Sequence, residues 1–151
     1  MKNVLIILSL MPVFACTLHS QSHLPQQWQD GMTIKVSYGG GMRYYSYELL
    51  ISDTGSYFME NNEGRLAKTS LALSREQLDK IMAFLRDKEF DLIQTEMTAP
   101  VHDKGTEQVT IQWGRNMISK GTGHAQEIKE AHKDRYLQVR NFLLERRLIG
   151  K

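Results

Sequence analysis

The amino-acid sequence predicts an α+β domain, an antiparallel sheet of about six strands in ββββαββα order with two helices packed on one face. Three observations lead to this fold class. Apolar and polar residues alternate through residues 32–71, a capped amphipathic segment follows, and a second pair of alternating segments precedes a long C-terminal helical segment. Packing both helices on one face of the sheet is the simplest way to bury both apolar stripes.

Four strands are predicted before the first helix, at residues 32–38, 42–52, 56–60 and 65–71. In the second strand, alternation sends one set of side chains to one face: Tyr45, Tyr47, Leu49 and Ile51. The other face receives Tyr44, Ser46, Glu48 and Leu50. The connections are short and rich in glycine, so the four strands are expected to form an antiparallel meander.

The first helix is predicted from a capping box, with Ser74 as N-cap and Gln77 three residues later. Apolar residues then recur at helical spacing: Leu78, Ile81, Met82 and Leu85. The helix is expected to end near Lys88. The apolar residues that follow are expected to close the sheet edge: Phe90, Leu92 and Ile93. Residues 94–105 are predicted to be a loop.

Two more strands are predicted at residues 108–113 and 117–120, followed by a second helix over residues 125–147. The strand at 108–113 directs Val109, Ile111 and Trp113 to one face. The apolar stripe assigned to the second helix is Ile128, Ala131, Val139, Phe142 and Leu143. This pair of strands and this helix complete the expected order.

Residues 1–15 are predicted to be an export signal. Lys2 gives a positive start, and residues 4–15 are apolar except for Ser9 and Pro12. As a helix, residues 4–15 would rise about 18 Å against a hydrocarbon core of about 30 Å, so this segment is too short for a stable transmembrane span.

The signal ends in Val13-Phe14-Ala15-Cys16, which resembles the lipobox of bacterial lipoproteins. The resemblance implies cleavage before Cys16, a diacylglycerol on the Cys16 thiol and an acylated amino end. The alternative is ordinary cleavage, which leaves Cys16 as a thiol. Because the chain has one cysteine, Cys16 has no partner for an intrachain disulfide.

The residue after the cysteine bears on location. In Gram-negative lipoproteins an Asp there marks inner-membrane retention, and this chain has Thr17. The resemblance therefore implies the outer membrane, facing the periplasm, in a Gram-negative host. In a Gram-positive host it implies the outer face of the single membrane.

The predicted organisation is a signal at 1–15, the lipidated Cys16 with a flexible tether at 16–31, and one α+β domain at 32–151. The tether is predicted because residues 17–31 are polar, lack periodicity and contain Pro25. The 19 basic and 17 acidic side chains nearly balance, so composition gives no electrostatic case for nucleic acid.

The sequence contains no complete catalytic or metal-binding set. His102 and Asp103 would supply a general base and its orienting carboxylate, but no nucleophile accompanies them, and an ordinary polar turn explains both. The HExxH order is absent from the segment around four possible ligands: His124, Glu127, Glu130 and His132. We therefore predict a protein that is not an enzyme, with no metal and no cofactor.

Aromatic residues cluster within residues 38–58: Tyr38, Tyr44, Tyr45, Tyr47, Tyr57 and Phe58. Exposed tyrosines beside the glycines at 39–41 are typical of a protein-binding surface. The alternative is that the strand propensity of tyrosine alone explains the cluster. The residues predicted to contact a partner are Tyr44, Leu50, His102 and Asp103.

The layout also resembles a known family. A strand ending in glycines (IKVSYGGG), an FDLI segment after the first helix, and a strand carrying Val109, Ile111 and Trp113 are similar to emfourin-like proteins. These are small bacterial inhibitors of thermolysin-type metallopeptidases. The Y-x-L-x-I-x-x-x-G pattern over residues 47–55 resembles uncharacterised envelope domains equally well. The resemblance covers roughly residues 33–147 and implies a protein-binding role.

The expected function is a non-enzymatic, lipid-anchored module of the bacterial cell envelope that binds a protein partner, with protease inhibition as its most concrete form. Two alternatives stay open. One is a small periplasmic hydrolase that uses His102 and Asp103, and the other is a carrier of a small apolar or glycan ligand.

Overall fold

The structure is a computed structural model, and it describes residues 22–41 and 44–148. In chain order its strands and helices are β1 (Thr33–Gly39), β2 (Tyr45–Ser52), β3 (Ser56–Asn62), β4 (Arg65–Leu71), α1 (Arg75–Asp87), β5 (Thr95–Met97), β6 (Thr106–Trp113), β7 (Asn116–Thr122), β8 (Gln126–Ile128) and α2 (Lys133–Glu145). Short 3₁₀ turns follow α1 and flank α2, at Phe90–Leu92, Glu130–His132 and Arg146–Leu148.

Six of the strands form one antiparallel sheet in the order β4-β3-β2-β1-β6-β7. β1 lies in the middle, pairing Ile34 with Ile51 of β2 and with Ile111 of β6. This register places apolar side chains on one face: Ile34, Val36, Leu49, Ile51, Val109 and Ile111. The α+β class and the antiparallel sheet are therefore confirmed, and β1 to β4 form the expected meander.

Both helices cover the apolar face of the sheet. α1 contributes Leu78, Ile81, Met82 and Leu85 to the core, and α2 contributes Tyr136, Val139 and Leu143. The expected capping box begins α1. The Ser74 hydroxyl accepts from the Gln77 N–H at 3.3 Å, and the Gln77 side chain accepts from the Ser74 N–H at 2.8 Å.

The prediction of one long second helix over residues 125–147 is wrong at its start. Residues 126–128 form β8, which pairs with β5 as a separate two-stranded sheet, so the predicted loop at 94–105 also contains a strand. α2 begins only at Lys133. Ile128 is buried as a strand residue, Ala131 is exposed, and the buried stripe of α2 begins with Tyr136, which the predicted stripe omitted.

The segment after the first helix also differs from its prediction. Phe90 and Ile93 are fully buried in the main core rather than placed at a sheet edge. Leu92 is only half-buried. The chain turns back here through a 3₁₀ turn, with Glu89 in the left-handed region at φ 45°. The turn directs the two apolar side chains inward beneath α1.

The prediction of a flexible tether through residue 31 is wrong for residues 22–31, which pack along α1. The Ser22 hydroxyl and the His23 N–H donate to the carboxylate of Asp91, at 2.8 Å and 2.6 Å. The backbone N–H of Trp28 donates to the Asp79 carboxylate at 2.8 Å. Leu24 and Trp28 are buried, so the domain includes residue 22 and does not begin at residue 32.

We call residues 22–31 the N-terminal arm. The arm docks because its two buried side chains remove enough apolar area from water to offset the ordering of a polar segment. The signal, Cys16 and the rest of the predicted tether lie outside the described residues. Within residues 22–41 and 44–148, every helix is too short or too polar to serve as a membrane span.

Candidate functional site

Three tyrosines form a row at one end of the sheet, on the face that carries the helices. Tyr38 near the end of β1 pairs across the sheet with Tyr47 of β2, and Tyr45 lies two residues before Tyr47. Their ring centroids are 5.7 Å apart for Tyr38 and Tyr47, 6.1 Å for Tyr38 and Tyr45, and 6.2 Å for Tyr45 and Tyr47. Tyr47 also packs against Phe58, with 6.1 Å between the ring centroids, and this joins the row to the core.

The rings line a cleft of about 750 Å³. Its lining residues are Tyr38, Tyr44, Tyr45, Tyr47, Asn62, Glu63, Glu107 and Arg140. We call this the tyrosine cleft. It is built by β1, β2, the end of β3, β6 and α2, so rigid elements hold most of its lining. Its volume lies in the range of about 300–1,000 Å³ that is typical of small-molecule sites.

Glu107 organises the floor of the cleft. Its carboxylate accepts from the Tyr47 hydroxyl at 3.2 Å and from the Tyr136 hydroxyl at 3.3 Å. Arg140 Nε lies 3.4 Å from the same carboxylate, but not in hydrogen-bond geometry, and this buried atom has no other partner among the described residues. The Glu107 and Arg140 side chains are 17% and 26% exposed, so the pair is only lightly solvated.

Two phenols of the cleft, Tyr45 and Tyr47, and the Tyr136 phenol beside Glu107 have raised pKa values. Burial, followed by the negative charge of Glu107, raises the pKa of Tyr47 well above its ordinary value. The same two causes raise the pKa of Tyr136, while Arg140 opposes both shifts. Burial and a hydrogen bond to Glu60 raise the pKa of Tyr45. All three hydroxyls therefore remain neutral hydrogen-bonding groups throughout the neutral and mildly alkaline range.

A second depression, of about 740 Å³, adjoins the tyrosine cleft. The two share Tyr44, Tyr45 and Glu63. The second depression continues past Gly40 and Gly41, whose φ angles of 85° and 82° favour glycine. Ser46 and Asn61 of the second depression lie on the opposite face of the sheet from Tyr45, so the two depressions together form a groove that turns around the end of the sheet.

Gly105 allows the Tyr38 ring to lie against the backbone. A Cβ atom at residue 105 would lie only 2.6 Å from the Tyr38 hydroxyl. A larger residue at 105 would therefore displace the ring that begins the tyrosine row.

The structure separates the four residues predicted to contact a partner. Tyr44 is 89% exposed and lines both depressions. It precedes β2, so it lines the cleft together with Tyr45, although strand alternation had placed the two on opposite faces. Leu50 lies on the other face of the sheet, where it pairs with Tyr57.

His102 and Asp103 occupy an exposed loop beside the Gly41 backbone. The His102 ring lies 5.5 Å from the His124 ring, measured between centroids. Asp103 adopts the left-handed conformation expected of a turn, at φ 63°. Among the described residues, no hydrogen bond joins His102 to Asp103, so the loop does not show a base with an orienting carboxylate.

The acidic and histidine residues around α2 are not grouped as ligands. Glu127 lies on β8 and pairs with Lys104, and Glu130 pairs with Lys133 at 2.6 Å. In the part of the chain that the structure describes, no three His, Cys, Asp or Glu side chains lie together as a metal site would require.

Sequence reasoning missed Glu107 and Arg140, although each carried a signal. Glu107 extends the alternation of Val109 and Ile111, so it had to share their face. Arg140 follows Tyr136 by four residues and therefore lies above it on the same side of α2. Charged residues at positions that face a core are good indicators of a polar site within it.

No protein-family model matches the sequence, and a search of curated proteins found no significant match.

Proposed function

We propose that the protein is a non-enzymatic binding module of the bacterial cell envelope, anchored to a membrane by lipid on Cys16, and that its binding site is the tyrosine cleft. The observation that carries the binding proposal is the row of half-buried tyrosines over the Glu107–Arg140 pair. The lipobox-like sequence ending at Cys16 supports the anchor.

The cleft is suited to binding because it combines a preorganised shape with apolar area that remains open. The tyrosine rings pack on one another and on Phe58, so their orientations are fixed before a ligand arrives. Prior ordering lowers the entropy cost of binding, and tyrosine and arginine are common at the energetic centres of interfaces. No comparable group of aromatic rings lies on the other described surfaces of the domain.

Two kinds of occupant fit the cleft. The first is a segment of a protein partner, for which inhibition of an envelope protease is the most concrete role. The second is a glycan or a small apolar ligand, and the volume of about 750 Å³ favours it specifically. In a Gram-negative host we propose that the domain faces the periplasm from the outer membrane.

Capture from the native envelope tests the binding site. The full chain carries a C-terminal affinity tag, and envelope material cross-linked to it is analysed for both protein and carbohydrate. We expect specific material to be captured, and we expect Tyr45→Ala and Arg140→Gln to reduce it strongly. Tyr57→Ala is the matched control, because Tyr57 lies on the opposite face of the sheet.

Capture that is equal for all of these variants would contradict the cleft as the binding site. The absence of any specific capture would contradict the binding proposal itself.

Metabolic labelling tests the anchor. Growth with radiolabelled palmitate is expected to label the chain, and Cys16→Ser is expected to abolish both the label and membrane association. Labelled, membrane-bound Cys16→Ser protein would contradict the anchor and would leave the cleft proposal untouched.

A further inference from the structure

The charges that line the tyrosine cleft indicate the charge of its ligand. Arg140 and Glu107 lie 3.4 Å apart and largely neutralise each other. Glu63 is the remaining charged residue among those lining the cleft, and it sits on an exposed turn where water and salt screen it. An anionic ligand would meet two carboxylates, and a cationic ligand would meet Arg140. The lining therefore favours a ligand without net charge.

The polar groups of the cleft both donate and accept hydrogen bonds. The Arg140 guanidinium only donates, and the carboxylates of Glu63 and Glu107 only accept. The Asn62 amide and the tyrosine hydroxyls do both. A ligand that matches this lining must itself carry groups that donate and accept together, and a hydroxyl is such a group. A purely apolar ligand would leave these polar atoms unpaired at a cost.

The aromatic row suits a ring with an apolar face. The π face of a tyrosine is the negative end of its quadrupole, and it attracts the weakly positive C–H groups on the face of a saturated ring. Sugar rings present C–H groups on their faces and hydroxyls at their edges. The cleft offers the same division, with tyrosine rings beside a polar network.

The groove has volume for more than one ring. The tyrosine cleft and the adjoining depression, of about 750 and 740 Å³, meet at Tyr44, Tyr45 and Glu63. Both are open to solvent, and Tyr44 stands between them with 89% of its surface exposed. An open groove accommodates the interior of a chain, whereas a closed cavity accepts only a small molecule.

We propose that the groove binds a neutral oligosaccharide chain. This inference rests on the proposed binding function and chooses the glycan from the occupants considered there. The sugar rings stack on Tyr45 and Tyr44, and their hydroxyls bind Arg140, Asn62 and the two carboxylates. Binding of a protein segment instead of a glycan is one of the results that the experiments can give.

Calorimetric titration of the full chain, purified in detergent, tests this proposal. The probes are three hexasaccharides of different charge: fully N-acetylated chitohexaose, which is neutral and is called chitohexaose below, anionic hexagalacturonate, and the cationic, deacetylated chitosan hexamer. We expect chitohexaose to bind most tightly. Its affinity is expected to change little between about 0.05 and 0.5 M salt, because the ligand carries no charge to be screened.

Three variants locate the binding. Tyr44→Ala removes an exposed ring that has no role in the core, and Tyr45→Ala removes a ring of the row. Each is expected to weaken chitohexaose binding about tenfold, the order expected for losing one stacked ring. Tyr57→Ala, on the opposite face, is expected to bind as the wild type does.

Tighter binding of either charged hexasaccharide would overturn the proposal, as would chitohexaose binding that is unaffected by both cleft variants. If no hexasaccharide binds while envelope capture still depends on Tyr45, the glycan proposal is wrong and the binding function stands. If neither the titration nor the capture shows binding, both are wrong.

Discussion

Glu107 is a carboxylate on the sheet face that otherwise carries the apolar core. Burying such a group is costly unless it is paired. Its pairing comes from three side chains on two other elements, Tyr47 of β2 and Tyr136 and Arg140 of α2. Because these partners arrive from distant parts of the chain, Glu107 fixes the position of α2 over the sheet while it shapes the floor of the cleft.

The raised pKa of Tyr136 predicts a loss of stability at alkaline pH. The ordinary tyrosine pKa is 10.0, and burial and Glu107 raise it in the folded state. Above pH 10 the unfolded chain therefore releases a proton that the folded chain retains, so stability falls as pH rises. The contribution is about 1.4 kcal/mol per pH unit. Urea unfolding at several alkaline pH values measures this slope.

The matched variant for this measurement is Tyr136→Phe, which keeps the ring and removes the proton. Its unfolding free energy is expected to fall less steeply than that of the wild type above pH 10. Equal slopes for the two proteins would show that Tyr136 ionises in the folded state as it does in the unfolded chain.

Gly121 is predicted to be intolerant of any side chain. A Cβ atom there would collide with the backbone carbonyl of Glu107 and would lie 2.8 Å from the Cα of Gln108. Gly121→Ala is therefore expected to lower the unfolding free energy by about 1–3 kcal/mol, measured in urea.

Gly39→Ala is the control for this substitution, because a Cβ at residue 39 would meet only an ordinary contact at 3.6 Å from Ser46. Gly39→Ala is expected to be close to neutral. A Gly121→Ala protein as stable as Gly39→Ala would mean that β6 and β7 can separate locally without cost.

At the residue scale, the sequence predicted the tyrosine row better than it predicted the polar residues beneath it. Alternation alone places Tyr45 and Tyr47 on one face, because the side-chain period of a strand is fixed. Glu107 and Arg140 meet only through tertiary packing between β6 and α2. A local pattern cannot report a contact between segments 33 residues apart in the chain, which is the separation of these numbers.

At the scale of elements, α1 shows a prediction that local chemistry was sufficient to make. Its capping box lies within four consecutive residues, and both hydrogen bonds form as expected. Ser74→Ala removes the side-chain acceptor at the N-cap and is expected to cost about 1 kcal/mol of unfolding free energy.

The control for the capping prediction is Ser70→Ala. Ser70 is exposed on β4, so the same chemical change there is expected to stay within about 0.5 kcal/mol of the wild type. Equal stabilities for the two variants would mean that the first turn of α1 gains nothing from its cap.

The two short strands show where local pattern was insufficient. β5 and β8 have three residues each, too few to display an alternation, and they pair with each other. Ile128 fits the apolar spacing of a helix as well as it fits a buried strand position. The prediction of a helix from residue 125 was therefore consistent with the local pattern. Pairing with the distant strand β5 makes residues 126–128 a strand instead.

For the molecule as a whole, the layering of helices on one face leaves the other face of the sheet polar. Lys35 and Glu48 form an ion pair there at 3.9 Å, and the Thr110 and Ser119 hydroxyls are bonded at 3.0 Å. The sequence predicted this division because strand alternation distinguishes an apolar face from a polar one. Composition then indicated a single domain, but not where that domain begins.

The N-terminal arm predicts the boundary of the folding unit. A fragment beginning at residue 32 lacks Leu24 and Trp28, both of which are buried against the domain. Compared with a fragment beginning at residue 22, it is expected to lose at least about 3 kcal/mol of unfolding free energy, the scale for removing one large buried side chain. Urea unfolding of the two fragments measures the difference.

A third fragment, beginning at residue 22 with Gln27→Ala, is the control for the truncation. Gln27 is exposed between the two buried side chains, so this variant is expected to match its parent. Equal stability of the fragments that begin at 22 and 32 would show that the arm contributes no folding energy.

The docked arm also limits the distance between the domain and the proposed lipid anchor. From Cys16 to Ser22 there are six residue steps, and a fully extended chain covers about 3.5 Å per step. The linker between the proposed lipid anchor and the arm can therefore span at most about 21 Å. A tether running to residue 32 would have allowed about 56 Å by the same measure. With the lipid that we propose on Cys16, the domain would be confined to a thin layer above the membrane, and it would meet only those ligands that come within that layer.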